Sequence, residues 1–317
     1  MHKIAILLPS YMGDIQYVER LIPSYKKHNV NKIPLYLVVP QKDKVVFEKF
    51  IDDDITLLNE EAFTDDMVHD NSIFGIRPGY INQEIIKLSF WEKGLCENYF
   101  CVDSDGVFIR DFHVSDFMYD ENTPYTILVE DNELVVEPEY YKQYWSERKK
   151  LIRLIQEKVG LNDKRMLTCH GFAILSCKVF ESFNTKFMKP NNLNYKDLLN
   201  IAPYEFSWYN MWLQKDKTIK IEFREPIFKY FHTKNHHLEY LRKGITLQDI
   251  SRGYMGIVIN SNYSREYGVV SYEGGDIYDF SMKEMMLLSF KIIRSPFRKV
   301  KKILRRIMPK LRVNVIR

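Results

Sequence analysis

The chain has 317 residues, 45% hydrophobic and 14% aromatic, which fits one large or two modest packed domains and excludes a disordered protein. Its net charge of +4 hides an asymmetry: residues 291–317 hold eleven Lys and Arg and no Asp or Glu, leaving 35 basic against 42 acidic residues in 1–290. No stretch is long and apolar enough to span a membrane, the run Ile4 to Leu8 is too short for a secretory leader, and Cys96, Cys101, Cys169 and Cys177 lack metal-ligand spacing, so buried thiols in a reducing compartment are expected.

The apolar run Ile4 to Leu8 reads as a buried parallel strand that ends at Pro9-Ser10-Tyr11. A helix follows over Ile15 to His28, then a strand over Leu35 to Val39 bounded by Pro34 and Pro40, a short helix over Lys42 to Phe50, and a strand over Ile55 to Leu58. Alternation at this spacing predicts an α/β fold: a mostly parallel sheet with helices on its faces. Ligands of such sheets bind beyond the carboxyl ends of the strands.

The segment Thr64 to Gly79 is polar and irregular, a candidate loop near the site. A helix is predicted over Tyr80 to Cys96, with Ile81, Ile85, Leu88 and Leu95 on one face and Gln83 and Lys87 on another. Lys87 is either a solvated lysine or a cation aimed at a phosphate or sugar. Next comes Tyr99 to Val102, a short apolar strand closed by Asp103-Ser104-Asp105-Gly106 and followed by the apolar run Val107 to Ile109. Alternate residues of an extended segment face the same side, which puts both carboxylates within reach of one hard cation. Mg²⁺ takes few protein carboxylates and completes its shell with water and phosphate oxygens. The tripeptide alone reads rather as a solvated turn, and it is the flanking strands and the material upstream that favour the functional reading.

Tyr125 to Val129 reads as a strand ending in Glu130-Asp131, and Tyr140 to Val159 as a helix. His170-Gly171 precedes another strand, and the glycine permits close approach of a ligand, so His170 is a candidate site residue. Pro203 suits the first turn of a helix in which Glu205, Tyr209 and Trp212 share a face. Two readings are open there: a dipole-favoured first-turn Glu over core aromatics, or a general base over an aromatic platform for a sugar ring. Lys229 to His232 reads as a strand with His232 at its end, a candidate late metal ligand. Ile257 to Ile259 is a strand that runs into a polar loop containing Asn260 and Arg265, which could close over a nucleotide.

Ser295-Pro296 starts a predicted tail helix. Phe297, Val300, Ile303, Leu304, Ile307 and Leu311 form its apolar stripe, flanked by Arg298, Lys299, Lys301, Lys302, Arg305 and Arg306. That pattern suits an anionic membrane surface better than nucleic acid, which does not require the stripe. Docking on the chain's own domain or on a second copy, as a homo-oligomer, is the structural alternative.

Ile4 to Tyr11, the helix carrying Gln83 and Lys87-Leu88, the Asp103-Ser104-Asp105 turn and Pro203 to Tyr209 together resemble bacterial GT-A-fold glycosyltransferases of the Asp-X-Asp type, those that build capsules, O-antigens and other surface polysaccharides. The resemblance covers residues 1–265. It implies a Rossmann-like GT-A sheet, with residues 1–110 as the nucleotide-sugar half, 111–280 as the acceptor half, and 281–317 as a basic amphipathic tail. It further implies a nucleotide-sugar donor, Mn²⁺ or Mg²⁺, a glycan or lipid-linked acceptor, and work at the inner face of the bacterial inner membrane. Asp105 would bind the metal, Asp103 the ribose or a metal-bound water, and His232 would be the third ligand. Pro9, Ser10, Tyr11, Gln83, Lys87, Asn260 and Arg265 would surround the donor, with Tyr11 stacked on the base. Glu205 would be the acceptor base if the reaction inverts, and would position a hydroxyl if it retains. Other readings are a nucleotidyl- or phosphosugar transferase, and a non-catalytic carbohydrate- or membrane-binding scaffold.

Overall fold

The computed structural model describes residues 1–129, 135, 137–261, 264 and 272. Residues 1–261 form one compact unit. Arg265, Glu130-Asp131 and the cationic stretch 291–317 lie outside the described residues.

The first half builds a sheet from β1 (Ala5–Pro9), β2 (Leu35–Val39), β3 (Ile55–Asn59) and β4 (Asn98–Cys101), with α1 (Ile15–His28), α2 (Lys44–Phe47) and α3 (Pro78–Ser89) between them. The short β5 (Gly106–Phe108) and β6 (Tyr125–Thr126) follow β4. After α4 (Pro138–Lys158), β7 (Ile174–Ser176) adds a fifth strand to that sheet. Its order is β3-β2-β1-β4-β7, with every pairing parallel except β4 with β7. Every residue of β1 and β2 is buried, which is what a central parallel strand covered on both faces requires. The mixed α/β fold expected from the alternation of elements is therefore present.

The remaining helices are α5 (Cys177–Phe183), α6 (Tyr195–Ile201), α7 (Glu205–Asp216), α8 (Lys234–Arg242) and α9 (Leu247–Ser251). The strands β8 (Glu222–Phe223), β9 (Phe228–Phe231) and β10 (Gly256–Ile259) complete two small sheets, β5-β10-β9 and β6-β8.

Several boundaries move. The predicted helix Tyr80 to Cys96 starts at Pro78, a favoured first position. It gives way to a 3-10 turn at Phe90–Lys93, which Gly94 terminates with a φ of 63°. Pro203 does not open a helix: it follows an extended Ala202, as the residue before a proline should be, and α7 begins at Glu205 with Tyr204 as its cap. The Thr64 to Gly79 stretch runs without a strand into α3, but it is anchored: Val68 N–H donates to Asn82 Oδ1 at 2.8 Å, and Ile73 is fully buried. Thr233 caps α8, which takes up the histidine-rich stretch after β9.

Sheet order sets the place of the site. From β1 the chain winds outward through β2 and β3, then returns to lay β4 on the other side of β1. The order reverses between β1 and β4, and the crevice beyond their carboxyl ends is the topological switch point. Ser10 leaves β1 there and Ser104 leaves β4, and their hydroxyls meet at 3.1 Å.

Gly171 has a φ of 101°, and a Cβ there would lie 2.2 Å from the Tyr230 ring. A Gly171→Ala variant meets both backbone strain and a clash with an aromatic side chain. It should lose about 3 kcal/mol of stability, read as a lower denaturant midpoint.

Candidate active site

The turn after β4 holds the two carboxylates. Gly106 N–H donates to the Asp103 carbonyl at 3.0 Å, closing a four-residue turn. The turn reading of Asp-Ser-Asp and the site reading are thus compatible, since the turn presents the side chains. Ser104 points inward to Ser10 and to Asp14, whose Oδ2 accepts its hydroxyl at 3.4 Å. Asp105 Oδ2 accepts from Ser261 N–H at 2.9 Å, just past the end of β10. Burial, then the charge of Asp103, push the Asp105 carboxyl up to about 7 against the opposing Ser261 hydrogen bond.

Lys87 lies on α3 with its side chain only 7% exposed. Its ammonium is 2.9 Å from Asp103 Oδ1 and 3.2 Å from Glu205 Oε1. Burial opposes the charge, but Asp103 and Glu205 outweigh it and hold the Lys87 pKa above the ordinary lysine range. Lys87 is neither a solvated lysine nor a free cation awaiting a phosphate. It is a buried strut joining the β4 turn to the first residue of α7. Gln83, one turn earlier on α3, is half-buried.

The shared face of Glu205, Tyr209 and Trp212 divides. Glu205 reaches the site, whereas Tyr209 is 1% exposed and its hydroxyl accepts from Ser176 N–H at 2.9 Å. Trp212 packs against Phe183 and Phe187. The aromatics are core and offer no sugar platform, because α7 is covered by α5 on that side.

His232 follows β9 as expected, but its ring is stacked between Tyr140 and Tyr230, at centroid distances of 4.7 and 5.5 Å. Its Nε2 is buried with no hydrogen-bond partner among the described residues. Burial first, then the neighbouring His236 and Lys229, lower it to about 4 against the pull of Glu137, so it is neutral near pH 7. Among the described residues no three His, Cys, Asp or Glu side chains converge as a cation site, Asp103, Asp105 and His232 included. Asp103 pairs with Lys87 and Asp105 with the Ser261 N–H. His170 Nδ1 lies 2.9 Å from the Tyr144 hydroxyl, and its ring is 4.9 Å from that of His232. Burial lowers its pKa well below the ordinary value, with His232 and Arg148 adding to the effect.

On the other side of the turn, Arg77 Nη1 donates to the Tyr11 hydroxyl at 3.3 Å with its guanidinium over the ring. Pro9 is the buried last residue of β1, and Asn260 N–H donates to the Phe231 carbonyl at 3.2 Å. Ser10, Lys87, Asp103, Asp105 and Glu205 are thus gathered around one turn, with Tyr11 next in chain to Ser10.

Three residues escaped the sequence reading. Arg148 on α4 donates to the Cys169 carbonyl at 3.0 Å and packs on the rings of Tyr144 and Tyr204; in Ser-Glu-Arg-Lys-Lys it looks like a solvated charge. Glu137 accepts from His236 Nδ1 at 2.9 Å and from His232 N–H at 3.1 Å. Glu84, 2% exposed on α3, makes no hydrogen bond of ordinary geometry among the described residues through either carboxylate oxygen. A charge between Ile81 and Ile85 was the one available signal.

The chain belongs to the family of unknown function DUF6492, whose model matches residues 1–260. No curated protein shows significant similarity to it. Among solved structures, the apo bifunctional glycosyltransferase WbbM aligns with a TM-score of 0.48 and 12% identity over 91% of this chain and 51% of its own, so this chain spans about half the length of WbbM. Apo mouse xyloside xylosyltransferase 1 aligns with a TM-score of 0.46 and 9% identity, over 82% of this chain and 98% of its own.

Replacing Lys87 with Met leaves Glu205 buried without its cation. It should cost about 2–4 kcal/mol in urea unfolding, the half-exposed Asp103 regaining water. Asp103→Asn should cost less than about 1 kcal/mol by the same measurement. Glu84 gives a pH test. Burial, then the charge of Glu205, raise its folded pKa well above the unfolded value. The folded state therefore holds a proton that the unfolded state releases, and stability falls as pH rises above the ordinary glutamate pKa. Glu84→Gln should match the native protein at pH 4 and exceed it in unfolding midpoint at pH 8; equal midpoints at both pH values would refute the reading.

Proposed function

We propose that this member of the DUF6492 family is a glycosyltransferase that moves a sugar from a nucleoside-diphosphate donor to a hydroxyl of a glycan or lipid-linked acceptor. The observation that carries the reading is the convergence of Asp103, Lys87 and Glu205 at the switch point between β1 and β4. A sheet of this order takes nucleotides at that crevice. The carboxylates that follow β4 are of the kind a phosphate-bridging cation uses.

Asp103 and Asp105 would hold Mg²⁺ or Mn²⁺, which as a Lewis acid offsets the charge of a departing diphosphate. Ser10, from the end of β1, would line the donor side with Tyr11. Glu205 would accept the proton of the attacking hydroxyl as its oxygen bonds to the anomeric carbon. The bond from that carbon to the diphosphate breaks, and the electron pair leaves with the nucleotide. Lys87 keeps the Glu205 carboxylate in place and is not consumed. The cationic stretch 291–317 would hold the enzyme on an anionic membrane surface, where a lipid-linked acceptor resides.

Incubation of the protein with a panel of nucleotide sugars and Mn²⁺ should release free nucleoside diphosphate. Release of pyrophosphate or nucleoside monophosphate would favour a nucleotidyl- or phosphosugar transferase instead, and no turnover with any donor would favour a scaffold. Asp105→Asn should lower metal-dependent turnover by about 100-fold or more. Glu205→Gln should lower transfer by about 10²- to 10⁴-fold with donor affinity retained. Truncation after Phe290 should weaken binding to anionic vesicles and spare transfer to a soluble acceptor.

A further inference from the structure

At the end of β4 away from the Asp103 turn, two thiols meet. The edge strand β7 has three residues, and its one neighbour in the large sheet is β4. The pairing is antiparallel, with Asn98 opposite Ser176, and one step further Cys177 N–H donates to the Glu97 carbonyl at 3.0 Å. Cys177 therefore stands one step from Cys96 across the ladder. In an unbroken ladder, side chains one step out of register face opposite sides of the sheet. Here β7 stops at Ser176 and Cys177 opens α5, so the backbone turns out of the ladder. That turn brings the Cys177 thiol to the Cys96 carbonyl, to which it donates with Sγ and oxygen 3.2 Å apart. The Cys177 side chain, hydrogen-bonded to the Cys96 thiol, and then burial hold that thiol well above the ordinary cysteine range.

Both residues are thiols in this structure. Cys96 is 2% exposed, whereas Cys177 is half-buried. A small oxidant can thus reach Cys177 directly, and Cys96 only through Cys177. Directly opposed residues of an antiparallel ladder have Cα atoms about 4.5–5.5 Å apart, and a disulfide spans about 4.4–6.8 Å. A pair one step from direct opposition, with one thiol already on the other's carbonyl, needs little backbone movement to be bridged. The other two cysteines are placed differently. Cys101 and Cys169 are each 1% exposed, and Cys169 Sγ accepts from the Asn210 amide at 3.2 Å.

We infer that Cys96 and Cys177 form a redox-sensitive clasp, closed to a disulfide by oxidised glutathione or a similar small disulfide and reopened by excess thiol. Cys177 Sγ attacks one sulfur of the oxidant, bonds to it and releases the first glutathione. Cys96 Sγ then attacks Cys177 Sγ, and the protein disulfide forms as the second glutathione leaves. The protons of the two protein thiols end on the two released glutathione thiols. The protein loses two hydrogens and the oxidant gains them. The closed clasp ties the edge strand and the start of α5 to β4. It also closes the chain between residues 96 and 177 into a loop, which restricts the unfolded state. The inference stands on the junction of β4 with α5 and is independent of the transferase reading.

The test incubates the full chain with oxidised glutathione in mildly alkaline buffer without denaturant, followed by intact mass and mapping of disulfide-linked peptides. The expected product lacks two hydrogens, carries no glutathione and links a Cys96 peptide to a Cys177 peptide. Its unfolding midpoint should rise by about 5 °C over that of the reduced chain, and excess dithiothreitol should reverse both changes. Cys177→Ser should show neither change, and Cys96→Ser should stop at a glutathione adduct on Cys177. On the native chain, four unreacted thiols, a persistent adduct on Cys177, or a link to Cys101 or Cys169 overturns the inference. A link between Cys96 and Cys177 with no rise in midpoint overturns the clasp as well. These native-chain results decide the question even where a serine variant fails to fold.

Discussion

One ammonium group holds the site together. Lys87 is buried on α3, and without partners its charge would be lost to desolvation. Its two ion pairs, to Asp103 and to Glu205, join segments far apart in the chain: the turn after β4 and the first residue of α7. A cation in a low-dielectric interior tolerates little misplacement of its partners. The position of Glu205 relative to the β4 turn is therefore set by electrostatics as well as by helix packing. Burial, then the charge of Glu205, raise the pKa of the neighbouring Glu84, against the pull of Lys87.

The sheet supplies the frame for that interaction. Because β4 returns to the far side of β1, the two strand ends open a crevice rather than a continuous edge. The Ser10–Ser104 contact ties those ends across it. The β5-β10-β9 sheet brings Ser261 to Asp105, and β9 delivers Tyr230 and His232 beside the loop that carries His170 and Gly171. Residues from both halves of the chain thus meet around the turn after β4.

The β1–β4 side carries the Ser10 and Ser104 hydroxyls and the Asp103 and Asp105 carboxylates, and Lys87 fixes the Glu205 carboxylate beside that turn. Arg148, held by the Cys169 carbonyl and the rings of Tyr144 and Tyr204, braces the α4–α7 contact.

Much of the frame was legible in the residue order. The helix Ile15–His28 and the strand Leu35–Val39 have the bounds that their periodicity and flanking prolines imply. The place of Asp103 and Asp105 at a strand end also follows from local pattern, since a short apolar run closed by Asp, Ser and Gly has few other readings. Partners brought together by the fold were not legible. Lys87 and Glu205 are 118 residues apart, and no local rule pairs them. Helical spacing put Glu205, Tyr209 and Trp212 on one face, but only the packing of α5 against α7 decided that the aromatics are core. Position at a strand end made His232 a metal candidate, and only the stacking of Tyr140 and Tyr230 showed what surrounds its ring. Sequence determines backbone preference and the periodicity of apolar residues, which act over a few positions; which charges and rings meet depends on chain segments that only the completed fold brings within a few ångströms of each other.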